Sequence, residues 1–121
     1  MVGVNETINF KKMEFDEELQ NFYNYANEKF FGYKLPYVRV GWYDWKKPDK
    51  LCYGVTLSVE GAAFCEYIGI NPHFKEWTKV VNTIILHEMC HVKFNNRCGH
   101  GPKFKKEKRR LILAGAFDPY L

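Results

Sequence analysis

His87-Glu88-Met89-Cys90-His91, with His100 nine residues further on, sets the frame for the rest of the chain. In a helix, a spacing of four puts His87 and His91 one turn apart on the same face, their imidazoles close enough to hold one metal ion. Glu88, one position round from His87, can then reach a water on that metal. This is the HExxH pattern used by zinc-dependent hydrolases. Three of the chain's four histidines fall in this constellation. The competing reading is a pair of histidines that only pack or hydrogen-bond. A buried helix that spends two His and one Glu leaves polar atoms needing partners, which favours metal. A structural Glu88 would hold a backbone amide or a lysine; within the motif, its natural work is to take a proton from the metal-bound water.

The residues around the motif predict a long, mostly apolar helix from about Trp77 to Phe94, carrying Val81, Ile84, Ile85 and Val92 beside the histidines. Ahead of it, Asn71-Pro72 stops a strand and starts a helical turn, with Asn as cap and Pro at the first helical position. After it, residues 95–99 form a turn, and His100-Gly101-Pro102 opens another helix. That places His100 where it can fold back over the motif. The third ligand can come from His100, Cys98 or His73. His100 is preferred because a thiolate would donate more charge and blunt the metal as a Lewis acid, and because His73 reads as a surface residue of a turn. Cys90 points away from the His87 and His91 face and reads as an inert core thiol.

Further out, Phe15, Leu19, Phe22, Ala26 and Phe30 recur at helical spacing, predicting a helix over 14–31 that opens on Asp16, Glu17 and Glu18 and stops at Gly32. Residues 37–43 alternate as a strand, with Val38, Val40 and Trp42 on one face. Tyr53, Val55, Leu57 and Val59 alternate with Cys52, Gly54, Thr56 and Ser58. Glu60-Gly61 then turns into a second strand over 62–70, with Phe64, Ile68 and Ile70 facing one way. The order is helix, three strands, helix, helix.

At 121 residues the chain fits one domain, residues 1–121, with a core that needs no staples. Its 46% hydrophobic and 17% aromatic content excludes a disordered chain. No apolar run approaches the roughly 18 residues that span a bilayer, and residues 1–12 lack an apolar segment for secretion. A soluble, cytoplasmic protein is expected, with DNA association open and no membrane role. Cys52, Cys65, Cys90 and Cys98 form no CxxC pair, so free thiols are expected. The net charge of +4 is concentrated in Lys103, Lys105, Lys106, Lys108, Arg109 and Arg110, opposed there only by Glu107. That segment can face an anionic partner, although the commoner fate of such a run is a solvated helix face. Trp42, Tyr43 and Trp45 could add stacking on unpaired bases, which would favour single-stranded or distorted DNA.

Three stretches resemble a known family. His87-Glu88-Met89-Cys90-His91 with Gly99-His100-Gly101-Pro102-Lys103-Phe104, preceded by Ile68-Gly69-Ile70-Asn71-Pro72, is similar to the SprT-like metalloproteases, which include the Spartan proteases acting on proteins crosslinked to DNA. The likeness is sharp over residues 68–104. It implies an α+β, zincin-like domain in which an N-terminal helix, the HExxH helix and a C-terminal helix pack beside a small three-stranded antiparallel sheet. It also implies zinc on His87, His91 and His100, with Glu88 as general base, and a protein or peptide as substrate. Longer members carry a C-terminal zinc ribbon or DNA-interaction segments. Here the sequence reads as a minimal catalytic domain, leaving any DNA role to the basic last helix. The link from His91 to His100 is also short beside that of the Spartan proteases, which bears on substrate access. Two other classes fit the bare residues: a structural metal module with no open coordination position, and a non-catalytic nucleic-acid-binding adaptor.

Overall fold

Asp16 decides where the first helix begins. One carboxylate oxygen accepts from the Leu19 amide at 3.1 Å, and the other accepts the Trp42 indole N–H at 3.0 Å. The helix, α1, therefore spans Glu17–Phe31, and Gly32 ends it in the left-handed conformation that glycine adopts without strain. The computed structural model, which describes residues 6–44, 53–59, 64–95 and 99–120, places an extended segment just before this cap. Phe15 is thus in a strand, not on the helix. The buried face of α1 is Leu19, Tyr23, Ala26, Asn27 and Phe31, rotated from the expected stripe so that Phe22 and Phe30 are only half-buried. Tyr23 wins its place because its hydroxyl donates to the Pro36 carbonyl at 2.7 Å, satisfying the polar end of a buried ring.

The strands are β1 (Glu6–Thr7), β2 (Met13–Phe15), β3 (Arg39–Tyr43), β4 (Gly54–Ser58) and β5 (Tyr67–Ile70). They form one sheet in the order β1-β4-β5-β3-β2. The α+β class is as expected, but the sheet is five-stranded and mixed rather than three-stranded and antiparallel. β1 pairs parallel with β4, and β3 pairs parallel with β5, while β4–β5 and β2–β3 are antiparallel. The two missed strands are only two and three residues long, too short to show a period of their own. The expected hairpin is present as β4–β5, with Thr56 opposite Ile68; its turn at Glu60-Gly61 lies outside the described residues. Phe64 precedes β5 and is exposed, so it does not share the face of Ile68 and Ile70.

Alternation gives the sheet two faces. Val40, Trp42, Ile68 and Ile70 join the main core with the helices, whereas Tyr43 and Leu57 bury a smaller cluster with Ile8, flanked by Val55, Val59, Met13 and Tyr67. The apolar side of β4 therefore faces away from the helices, and its small and polar side, Gly54, Thr56 and Ser58, faces toward them.

Asn71 caps the turn Pro72–Phe74 by accepting from the His73 amide at 3.0 Å, and this turn leads into α2, Thr78–Lys93. Val81, Ile85, Leu86, Met89 and Cys90 bury its core face. Cys90 is a buried core thiol, pushed up to about 12, chiefly by burial. Pro102 starts the last helix, α3, Pro102–Leu113. Phe104 and Leu111 are buried on it, and so is Glu107, which accepts from Lys93 of α2 and Arg110 of α3. The Arg110 guanidinium also lies 5.2 Å from the ring centre of Phe31, so this network ties α3 to both other helices. Among the described residues no helix is long and apolar enough to cross a membrane.

Candidate metal centre

Helix α2 carries His87 and His91 on one face, and the turn ahead of α3 brings His100 against them. His100 Nε2 lies 3.2 Å from His87 Nε2 and 3.1 Å from His91 Nε2. Zinc bonds to imidazole at about 2.0–2.1 Å, so the edge of a tetrahedral site would be about 3.3–3.4 Å. The proton inventory points the same way. A neutral imidazole has one N–H for two nitrogens, so His100 Nε2 can donate to at most one of its two neighbours. Three convergent ring nitrogens are a donor set for a cation, and these three histidines can hold a metal ion. His73 is elsewhere, edge-on to Phe74 and Trp77 in the turn before α2, and Cys98 lies outside the described residues.

The electrostatics suit a cation as well. Burial, followed by the charges of His91, Lys108 and His100, lowers the His87 pKa to about 4. Burial and then His100 lower that of His91 to about 4. Both rings are thus neutral near pH 7, the state that binds metal. The Glu88 carboxyl is 5% exposed, with Oε2 4.0 Å from His87 Nε2, and burial pushes its pKa up to about 8. His91 Nδ1 is buried and finds no hydrogen-bond partner among the described residues.

Two further residues shape the site. The ring of Phe104 lies 4.9 Å from that of His87, 4.5 Å from that of His91 and 4.9 Å from that of His100, so one buried aromatic supports the whole cluster. Gly54 of β4 passes directly over α2: a Cβ there would lie 2.7 Å from Ile84 Cγ2 and 3.3 Å from Glu88 Cγ. The signal was available in the small-residue positions of β4, but which face of that strand met the helix was not.

Two cavities meet at this point. The smaller, about 250 Å³, is lined by the three histidines, Glu88 and the strand residues Gly54, Val55 and Thr56. The larger, about 630 Å³, shares Gly54, His87 and Glu88 with it and runs between β4, α2 and α3.

The basic run near the C-terminus is divided by the helix it forms. Lys103, Lys105, Lys106 and Arg109 are exposed, Lys108 lines the larger cavity, and Arg110 is engaged by Glu107. The expected aromatic contribution to base stacking fails at two positions. Trp42 and Tyr43 are buried, on opposite faces of the sheet, where they serve the two apolar clusters, while Trp45 lies outside the described residues.

The model of the SprT-like family matches residues 19–115 of the 121, a span that runs from α1 through β3, β4, β5 and α2 to the end of α3. No curated protein and no solved structure matches the chain.

Proposed function

Because the chain belongs to the SprT-like family, we propose that it is a zinc-dependent metallopeptidase that hydrolyses peptide bonds, with His87, His91 and His100 as ligands and Glu88 as general base. The observation that carries this reading is the convergence of three ring nitrogens within hydrogen-bond distance beside a buried carboxyl that, among the described residues, is paired with no lysine or arginine, its ion-pair neighbour being the neutral His87. When bound, zinc supplies the Lewis acidity that acidifies water to a pKa of about 7 and polarises a carbonyl. The chain's own residues do the rest. Glu88 accepts the proton of the attacking water and returns it to the leaving amine, a role suited to a carboxyl whose surroundings already favour the protonated form. Neutral His87 and His91 keep their lone pairs for the ion. Phe104 fixes the three rings and excludes water from their inner side.

The test is metal analysis of the purified chain beside a Glu88→Gln variant, each assayed on a disordered protein. One zinc per chain in both, with hydrolysis lost only in the variant, is the expected result. Equal hydrolysis by the two proteins would overturn the catalytic assignment and favour a structural metal module.

The partner reading extends to DNA. Lys103, Lys105, Lys106 and Arg109 form the exposed cationic set on α3 and offer a surface to single-stranded or distorted DNA close to the site. Each phosphate contact on a single strand steepens the dependence of log affinity on log salt by about 0.7. Changing Lys105, Lys106 and Arg109 together to Ala should flatten that slope. An unchanged slope would remove DNA from the account.

A further inference from the structure

The cleft beside Glu88 differs in chemistry from the cavity that the histidines line. Its volume, about 630 Å³, falls within the roughly 300–1,000 Å³ of ligand sites and exceeds what a metal and a water need. Tyr53 just before β4, Val80 and Ile84 from α2, Ile112 from α3 and Phe117 beyond it give it apolar walls. Several of these are not core residues: Tyr53 and Ile112 are each 50% exposed and Val80 is 37% exposed. Exposed apolar groups gathered from separate elements onto one concavity mark a binding surface. Lys108 and Asp118 also line it, one charge of each sign, so the cleft selects neither a cationic nor an anionic side chain.

Resting on the peptidase reading, we infer that this cleft is the subsite for the substrate residue flanking the scissile bond, and that it takes a large apolar side chain of leucine, isoleucine, methionine or phenylalanine type. The position argues for that occupant. Gly54, His87 and Glu88 are walls of both cavities, so a peptide carbonyl held at the histidines has its neighbouring side chain at the mouth of the cleft. An extended chain advances about 3.3 Å per residue, which keeps the flanking residue within the shared walls. Lys108 can donate to a peptide carbonyl and Asp118 can accept a peptide N–H, holding the backbone while the side chain is buried.

The test begins with binding, which needs neither metal nor turnover. An acetylated hexapeptide of alanines with one central leucine, and its all-alanine counterpart, are titrated into the metal-free full chain while the methyl signals of Val80, Ile84 and Ile112 are followed by NMR. We expect the leucine peptide to bind at least about tenfold more tightly, since a single methylene in an apolar pocket is worth about 10–200-fold in discrimination. The half-exposed Ile112→Glu should abolish that difference without changing the melting temperature. Equal affinities, shifts confined to other methyls, or a leucine preference that survives Ile112→Glu would overturn the assignment. The second measurement maps cleavage sites in a disordered protein digested by the zinc-loaded chain, where large apolar residues should flank the cut bonds and Ile112→Glu should erase the bias. Cleavage that depends on Glu88 yet shows no such bias defeats the subsite while leaving the peptidase reading intact. Selective leucine binding with no Glu88-dependent cleavage defeats the peptidase reading instead.

Discussion

Glu88 and Glu107 sit on neighbouring helices, are 5% and 4% exposed, and have opposite surroundings. Around Glu107, burial alone would raise the pKa, but hydrogen bonds from Lys93 and Arg110, together with their charges, outweigh it and hold the carboxyl below its ordinary range. Around Glu88 there is no such cation among the described residues, and burial pushes it up to about 8. A carboxylate already neutralised by two cations is a structural fastening. One that is buried without a cation, next to three convergent imidazoles, is held in a state that a bound ion or a proton must complete. The contrast separates fold from chemistry more sharply than burial does.

The largest expected effect breaks the pair apart by activity. Glu88→Gln should lower turnover by about 10²–10⁴-fold, the usual worth of a general acid–base group, whereas Glu107→Gln should leave turnover within a few-fold. Comparable losses in both variants would mean that the two carboxyls are not functionally distinct. The next effect sharpens the site side of the contrast. Phe104→Leu keeps most of the apolar volume but loses the ring that touches all three histidines, and metal affinity measured by chelator competition should fall about tenfold, the low end of what supporting residues contribute. A smaller effect belongs to Glu107, whose replacement by Gln should cost about 1–3 kcal/mol in denaturant unfolding. It should not cost more, because the Lys93 and Arg110 side chains are 41% and 43% exposed and can return to water.

A further effect is a dependence on pH in the metal-free chain. The Glu88 pKa rises from 4.5 to about 8 on folding, so its contribution to stability is full below pH 4.5 and is lost as pH rises through about 8. His87 and His91 fall from 6.5 to about 4, so theirs is full above pH 6.5 and is lost as pH falls through about 4. Glu88→Gln removes only the first dependence. The melting temperature of the parent should therefore decline relative to the variant between pH 5 and pH 8. A difference that stays constant with pH would show that Glu88 is not desolvated as described.

What could be read in advance was local. The HExxH spacing, the Asn71-Pro72 turn, the left-handed Gly32 and the Pro102 start each depend on a few adjacent residues, and each sets its backbone as expected. What could not be read depends on partners distant in sequence. Phe15 completes a helical stripe on paper, yet Asp16 is engaged by Leu19 and Trp42, so the residues before it pair with β3 instead. The period of β4 was plain, but only the helix packed against it shows that Gly54, rather than Val55 or Leu57, faces Glu88. Glu107 looked like one acid in a basic run until Lys93, from another helix, was placed beside it.

The division of the three histidines between two elements has a consequence for access to the ion. His87 and His91 ride on one helix, so their separation is set before any ion arrives, while His100 comes from the turn that opens the next. It is also the exposed member of the three. A bound ion would therefore rest on a fixed pair and a third donor from a separate element, and a competing chelator would reach it from the exposed His100 side.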